Sequence, residues 1–589
     1  MKFITFSGIN KSNIASNLGQ NDYSYFFVLQ DFLPLLQQFG EVLVTDNLED
    51  VDKLYAQLSA AGESAVFLSF TPPHKTPLNM ACPTIPVFAW EYSNIPNQVW
   101  ADDERDDWGF VLNQLGRAIT HSSYSLNTVK AATGEGLIIE PIPAPVWDGV
   151  AQVRKDRKTP LQKNVTLSLS ATLIDSGDFH ISTEAVTPNI VALAGKDLSF
   201  ASEPWAGETL DYAFHGGSDL FHSGFYAPES WGMWSRTRTP WLMLPCSVDG
   251  EITVALDIQA YGNNVDRDIT IALGDLATTI NVPNSGGVVE VYFDLKKPTN
   301  CLSFGNIDLT PPENSQDART LGIGLKSLQV RRAQAHQDSE SSPAPIRNTT
   351  ARAPAQIQLD GVVYTSVFNP TDGRKDWESI VTAFCCALGD KADATLILKI
   401  TFNNLPAYLD DVFNLFANLA PFKCRIVVVH GFLDDDDFEK MLRATSYVVN
   451  TSKCEGQCLP LMEFMSAGKP AISPDNTAMK DYITTDNAFV VDSDVEPTWW
   501  PHDPRQILQT LWYRVSWESI ANAYRESYAV AKSDPRRYSA MSDAAIESLR
   551  KFCSIEELAP RLGRVLDGIA DPGTHSDKLQ ASSDADQQQ

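Results

Sequence analysis

Short apolar runs alternate with longer stretches in which apolar residues recur every three to four positions, beginning at the amino terminus. Lys2–Ser7, Glu41–Thr45, Ala65–Phe70, Ile85–Trp90, Ala118–Ser122 and Leu137–Ile142 read as strands, with Tyr25–Phe39 and Val51–Ala61 as amphipathic helices between them. Such alternation predicts a doubly wound parallel sheet over residues 1–148. Gly149–Leu161 reads as a linker. From 162 to 333 the pattern changes to short β-rich runs (Asn164–Leu169, Trp241–Leu244, Ile252–Ile258, Ile269–Leu273, Val288–Phe293, Gly322–Val330) punctuated by Gly, Asn, Asp and Pro. Amphipathic helices are nearly absent there, which predicts an inserted β-sandwich. A second linker covers 334–356, rich in Ala, Pro, Ser, Gln and Arg. Strand–helix alternation returns over 357–502, with strands expected at Val362–Phe368, Ala394–Ile400, Arg425–His430, Tyr447–Asn450, Pro470–Ser473 and Ala488–Val491. Residues 503–570 read as helices, among them Ile507–Val515, Trp517–Ala531 and Ala544–Phe552, and the tail 571–589 is expected to be disordered. The predicted class is therefore α/β, two Rossmann-like domains with an all-β insertion.

Composition narrows the function classes. With 46 Lys+Arg against 74 Asp+Glu the net charge is −28, the opposite of a general nucleic-acid surface. Nine dispersed cysteines, an odd number without metal-type pairing, read as reduced thiols. Met1–Ser7 reads as a strand rather than a leader, and no apolar run approaches the roughly 20 residues that span a bilayer. A cytoplasmic location is expected; peripheral membrane contact stays compatible with it.

The stretch with most chemistry is Glu455-Gly456-Gln457-Cys458-Leu459-Pro460-Leu461-Met462-Glu463, followed by Phe464-Met465-Ser466-Ala467-Gly468-Lys469-Pro470. The run ending at Ser452 reads as a buried strand, Lys453–Leu459 as a loop, and Pro460 as the first turn of a helix that Gly468 closes. Such a loop brings backbone N–H groups and the positive end of a helix dipole to one spot, which suits a diphosphate. A carboxylate such as Glu455 or Glu463 accepts hydrogen bonds from the paired hydroxyls of a sugar or ribose. These residues resemble the E-x7-E signature of retaining GT-B glycosyltransferases, most closely family 4.

The resemblance implies a donor-binding carboxyl-terminal domain and no metal or other cofactor beyond a nucleotide diphosphate sugar as substrate. By that resemblance Glu463 holds the ribose, Glu455 holds donor-sugar hydroxyls, and Gly456, Gln457, Cys458 and Leu459 present N–H groups to the diphosphate alongside Lys375. The family also places an Arg on the diphosphate. Here Asn369-Pro370 stands where that Arg usually appears, and Arg374 lies next to Lys375 instead. Lys399, in an apolar strand, reads either as a further phosphate contact or as a residue that snorkels or pairs with a carboxylate. Gly431, Phe432 and Leu433 match the turn that reads the base. On the acceptor side the candidates are Gly19 in the long first loop, Trp90 and Glu91 at a strand end, and Ser122, for which helix capping is an equal alternative. The implied partners are the nucleotide-sugar donor and a glycan or lipid-linked acceptor, with no nucleic acid.

Inside the β-rich block, Phe225–Ser235 is similar to a pattern found in jelly-roll-like modules of bacterial polysaccharide enzymes. Its Trp231 and Trp234 suit stacking on sugar rings, but the sandwich's own packing, the more ordinary fate of Trp, is the favoured reading. Two readings of the whole follow: a retaining transferase building a bacterial-type polysaccharide or surface glycan, or a glycan-binding scaffold on a degenerate GT-B core.

Overall fold

The computed structural model describes residues 1–569 except 15–16, 21, 100–102, 135, 156–159, 177–203, 215–219, 283–284, 313–318, 334–345, 347–349, 352–354, 403–405, 420, 501–502 and 504–506. The tail 571–589, most of the linker 334–356 and part of the linker 149–161 lie outside the described residues. The chain divides into two units: one of residues 1–174, 355–409 and 421–589, and one of 175–354 with 410–420.

The first unit carries two Rossmann-like halves. In the amino-terminal half, Glu41–Val44, Lys2–Ser7, Ala65–Phe70 and Thr84–Pro86 lie side by side as a parallel sheet in that order. A bridge from Val87 to Ile119 continues it into the parallel pair Arg117–Thr120 and Ile138–Pro141. Helix Tyr23–Gln37 turns Phe32, Leu35 and Leu36 onto the sheet. In the carboxyl-terminal half, the parallel order is Ala488–Val490, Ala471–Ser473, Tyr447–Val449, Ala355–Phe368, Ala394–Ile400, Arg425–His430. Every residue of Ala394–Ile400 is buried, as a strand covered by helices on both faces requires.

Two sequence expectations are corrected here. Gln162–Leu169, expected to open the sandwich, pairs antiparallel with Ala355–Phe368 and so belongs to the carboxyl-terminal sheet, with Thr172–Asp175 added at its edge. An apolar alternation fits any half-buried strand and does not say which sheet receives it. Ile507–Val515, expected to be helical, contains instead the strand Gln509–Val515, hairpinned with Ser493–Trp499. Thr510 is buried between the exposed Gln509 and Leu511, the alternation of a strand. Asn94 Nδ2 donates to the Gln509 carbonyl at 2.9 Å, fixing the hairpin to the amino-terminal half.

Three helices close the unit. Ser516, Asp534 and Ser554 cap Trp517–Ser533, Pro535–Cys553 and Ile555–Leu566 by accepting from the N–H of Ser519, Arg537 and Glu557. The last helix returns to the amino-terminal sheet, where Arg561 donates to the Pro141 carbonyl at 3.0 Å and Arg564 pairs with Glu140 at 2.8 Å. Among the described residues no helix is long and apolar enough to cross a membrane.

Over residues 204–351 the described strands of the second unit form a nine-stranded sheet whose strand pairs are antiparallel, with an apolar core that includes Phe214, Phe225, Leu256, Phe293 and Leu325; its segment 410–419 belongs to the helix Pro406–Leu419. Its two long strands, Trp241–Ala260 and Gly287–Gly305, shift register between Met243 and Val248 and again before Gly250, irregularities that bend a strand and increase its twist.

Candidate functional site in the cleft of the first unit

The loops that face the cleft all follow the carboxyl ends of parallel strands, where open α/β sheets bind ligands. From the amino-terminal half come the loop after Ser7, Ala89–Glu91, His121–Ser122 and Ile142–Ala144; from the other half come 369–375, 431–433, 450–458 and 474–481.

Glu455 is the centre of the arrangement, 4 % exposed. Its Oε2 lies 2.8 Å from Arg374 Nη1, and its Oε1 accepts from Lys375 Nζ. Its backbone N–H donates to Thr477 Oγ1 at 2.9 Å. Burial alone would raise the carboxyl, but Arg374 and then Lys375 outweigh it and hold it at about 2. Arg374 Nε in turn lies 2.9 Å from Asp372 Oδ2 and 3.4 Å from Glu91 Oε1, and its Nη1 donates to the Cys454 carbonyl at 2.9 Å. Burial works against the Arg374 charge; Asp372, Glu455 and Glu91 override it and push the guanidinium well up. The guanidinium absent from position 369 thus reaches Glu455 from position 374. Asn369 instead donates to the Gly19 carbonyl at 2.9 Å.

The backbone around Glu455 is held in sparsely populated conformations. Asp376, Cys458 and Thr477 have φ of 49°, 62° and 45°. A β-branched residue such as Thr477 in the left-handed region is a genuine outlier, and strain of this kind gathers at ligand sites. Cys458 precedes helix Leu459–Ser466, which ends as expected: the Gly468 N–H donates to Met465 and the Lys469 N–H to Phe464, with Gly468 at φ +84°. Burial pushes the Cys458 thiol up to about 12, so it stays protonated at neutral pH. Gln457 is a strut: its Oε1 accepts from the Ala144 N–H at 3.0 Å and its carbonyl from the Tyr482 hydroxyl at 2.9 Å. A Cβ on Gly456 would stand 2.8 Å from Ala89 Cβ and 3.0 Å from the Trp90 nitrogen.

Glu463 is half-buried one helical turn further on. Burial, then the charges of Asp31 and Asp435, push its carboxyl well above the usual range. Asp31, from helix Tyr23–Gln37, is itself pushed up to about 7 by burial and by Asp435. Neither Asp31 nor Thr477 was singled out from sequence. Asp31 carries no motif, whereas Thr477 lies four residues past Ser473, in the loop every such strand end leads into.

The remaining candidates separate into those the cleft gathers and those it does not. Glu91 reaches the Arg374 cluster. Lys399 does not: its Nζ donates to the carbonyls of Gly431 at 2.7 Å and Ile400 at 3.1 Å, and burial lowers it to about 7. It braces the turn at Gly431 from behind. Phe432 packs against the cluster of Ile9, Ile14 and Phe26, and Leu433 lies in the main core. Gly19, at φ +81°, lies so close to Thr401 that an added Cβ would fall inside the van der Waals shell of that carbonyl oxygen. Trp90 is 6 % exposed, T-shaped against Trp108 and Trp500, and its Nε1 donates to the Asn94 carbonyl at 2.7 Å. Its indole packs into an aromatic core instead of pointing into the cleft. Ser122 caps helix Ser123–Thr133 by accepting from Ser125. The neighbouring Ser123 N–H donates across the cleft to Asp481 Oδ2 at 2.8 Å, which gives Asp481 a role the sequence did not reveal.

Parts of the chain are similar to known proteins. Residues 409–499 match the family described as glycosyl transferases group 1, and residues 208–332 match a domain of unknown function. Phosphoglycerol transferase I of Escherichia coli is 30% identical over 124 residues, 18% of this chain and 15% of that protein; the chain spans under a fifth of that relative's length. Among solved structures, the pneumococcal O-GlcNAc transferase complexed with UDP and GlcNAc is 15% identical over 35% of each chain, with a TM-score of 0.27. The Anabaena protein complexed with UDP and glucose is 13% identical over 35% of this chain and 48% of that one, with a TM-score of 0.26. The carboxyl-terminal domain of a group 1 glycosyl transferase from Francisella tularensis is 19% identical over 32% of this chain and 85% of that one, with a TM-score of 0.24. Likenesses this slight carry no argument about chemistry.

Proposed function

From a carboxyl-terminal half whose residues 409–499 are a glycosyl transferases group 1 segment, we infer that the chain transfers a sugar from a nucleotide diphosphate sugar to a hydroxyl of a glycan or lipid-linked acceptor, with retention of configuration and without a metal. The observation that carries the reading is the seating of Glu455 between Arg374 and Lys375, at the carboxyl end of the parallel sheet and beside the amino end of helix Leu459–Ser466.

In this reading the nucleotide lies over the turn at Gly431–Leu433, with Glu463 on the ribose hydroxyls. Glu455 accepts from donor-sugar hydroxyls. Lys375, Arg374 and the N–H groups of Gly456–Leu459 stabilise the negative charge that grows on the leaving diphosphate. The bond from the anomeric carbon to the phosphate oxygen breaks, the acceptor oxygen bonds to that carbon from the same face, and the acceptor's proton passes to the departing phosphate. No second carboxylate on the opposite face is called for, unlike a retaining hydrolase.

Thermal unfolding with UDP, GDP, ADP, dTDP and CMP tests the reading. A ligand bound only by the folded chain raises the midpoint with its concentration. The expected result is a shift with one nucleotide that Glu463→Ala abolishes, and sugar transfer from the matching donor that Glu455→Gln and Lys375→Ala each lower by about a hundredfold or more. One observation favours a second reading, a glycan-binding scaffold on an inactive core. Asp372, Glu91 and Glu455 already surround Arg374 and Lys375, so three carboxylates face two cations where a diphosphate must enter. No nucleotide shift and no transfer would favour that reading.

A further inference from the structure

The outer face of the nine-stranded sheet carries an aromatic cluster that the cleft chemistry does not use. Met233–Trp234 pairs antiparallel with Ile323–Arg332, which pairs in turn with Trp241–Ala260, so that Trp234, Gly324 and Gln259 stand in one cross-strand row. Their neighbours Met233, Leu325 and Ile258 are fully buried on the inner face. By the alternation of strands the row Trp234–Gly324–Gln259 therefore faces outward. Trp231 lies across it: a Cβ on Gly324 would stand 2.7 Å from Trp231 Cη2 and 2.8 Å from Gln259 Cγ. Glycine at 324 lets the indole lie down on the sheet. The rings of Trp231 and Trp234 are 4.9 Å apart at 61°, and Tyr261 stands 5.7 Å beyond Trp234.

All three rings are half-buried. Trp205 of the same unit shows what a packed indole looks like: it is 7% exposed, and its Nε1 donates to the Glu208 carbonyl at 2.6 Å. The outward rings are bordered by polar groups. Trp231 Nε1 donates to Glu229 Oε2 at 3.0 Å, Arg319 pairs with Glu229 Oε1 at 2.8 Å and lies 5.1 Å over the Tyr226 ring, and Lys326 stands 3.7 Å from Asp257. The register shifts between Asp257 and Ile258, leaving Lys326 as the extra residue of a bulge, a device that re-aims side chains.

We propose that this face is a binding subsite for a neutral hexopyranose glycan, with the sugar's C–H face on Trp231 and Trp234. A pyranose offers an apolar face and a rim of hydroxyls. The cluster offers aromatic faces and, at their edge, the Gln259 amide with the carboxylate and guanidinium of Glu229 and Arg319. The bordering charges are paired opposite in sign, Glu229 with Arg319 and Asp257 with Lys326, so the subsite favours no net charge in its ligand. A protein partner would want aliphatic surface as well. Val288 is the one large hydrophobic among the described residues of residues 204–351 that is prominently exposed. The proposal goes beyond the transferase reading and does not depend on it.

Affinity electrophoresis of the full chain tests it, since a net charge of −28 drives migration in native gels. Gels cast with soluble mixed-linkage β-glucan, dextran or galactomannan are compared with alginate and with no polymer. The expected result is retardation by at least one neutral polysaccharide, weakened about tenfold or more by Trp234→Ala and by Gln259→Ala, and kept in Glu455→Gln. Gln259→Ala removes only an outward amide, so it decides the case if Trp234→Ala fails to fold. The proposal is overturned if no neutral polymer retards the chain, if alginate alone does, or if retardation is undiminished in Gln259→Ala. Loss of nucleotide binding with retardation intact would sink the transferase reading and leave this one standing.

Discussion

Arg374 Nη1 meets Glu455 Oε2 at 2.8 Å, while Lys375 holds the other oxygen of the same buried carboxylate. Removing one member of such a group strands the others without a counter-charge. Glu455→Gln is therefore expected to lower unfolding free energy by about 3 kcal/mol, measured in urea at neutral pH. The acid limb separates this from a packing defect. The native carboxyl stays ionised down to about pH 2, whereas an unfolded Glu protonates near ~4.3. The stability it supplies is present above that value and is lost as pH falls toward 2. Wild type should lose stability more steeply than Glu455→Gln across that window. Parallel acid limbs would contradict the charge assignment.

Asp31 has the opposite sign. Its carboxyl titrates near 7 in the folded chain and near ~3.9 unfolded. The stability it contributes is complete below the lower value and disappears as pH rises through 7. Asp31→Asn should melt above wild type at pH 8, with the gap closing toward pH 4. A gap independent of pH would show that the carboxyl is not perturbed.

Gly19→Ala tests the contact between the first loop and the carboxyl-terminal half. The substitution puts a side chain at φ +81° against the Thr401 carbonyl. It is expected to cost about 1–3 kcal/mol and to expose the loop after Ser7 to limited proteolysis. Unchanged cleavage in that loop would argue against the contact.

Lys399→Met addresses a residue whose sequence reading left phosphate binding open. In the structure its ammonium faces the carbonyls of Gly431 and Ile400. Its folded value near 7 lies far below the ~10.4 of an unfolded Lys, so the unfolded chain binds the extra proton and stability climbs from pH 7 to pH 10. The variant should flatten that climb. A wild-type profile without it would refute the lowered value.

Much of this was legible in the chain because periodicity and turn chemistry are local. The strands Lys2–Ser7, Ala65–Phe70, Ala394–Ile400 and Arg425–His430 lie where their apolar runs stand, and Gly468 closes the helix it was expected to close. What the sequence could not show was pairing at a distance. Gln162–Leu169 joins a strand nearly two hundred positions away, beyond the block it resembles in composition. Trp90 was read as a cleft residue because it ends a strand; its burial depends on Trp108 and Trp500, which periodicity does not connect to it. Arg374 stands five places after the position at which a phosphate Arg was sought. Side-chain reach, not sequence register, brings its guanidinium to Glu455.

Among the contacts that join the two halves across the cleft are Gly456 on Ala89, Gly19 on Thr401, and Ser123 on Asp481. Two of them are glycines whose backbones pack directly on the opposite half, with no side chain between. Loop and domain opening of this kind takes microseconds to milliseconds and often outlasts the chemical step. If these contacts must part for donor to enter, a transferase cycle includes their release as a step, and thickening the solvent should then slow turnover even at saturating donor.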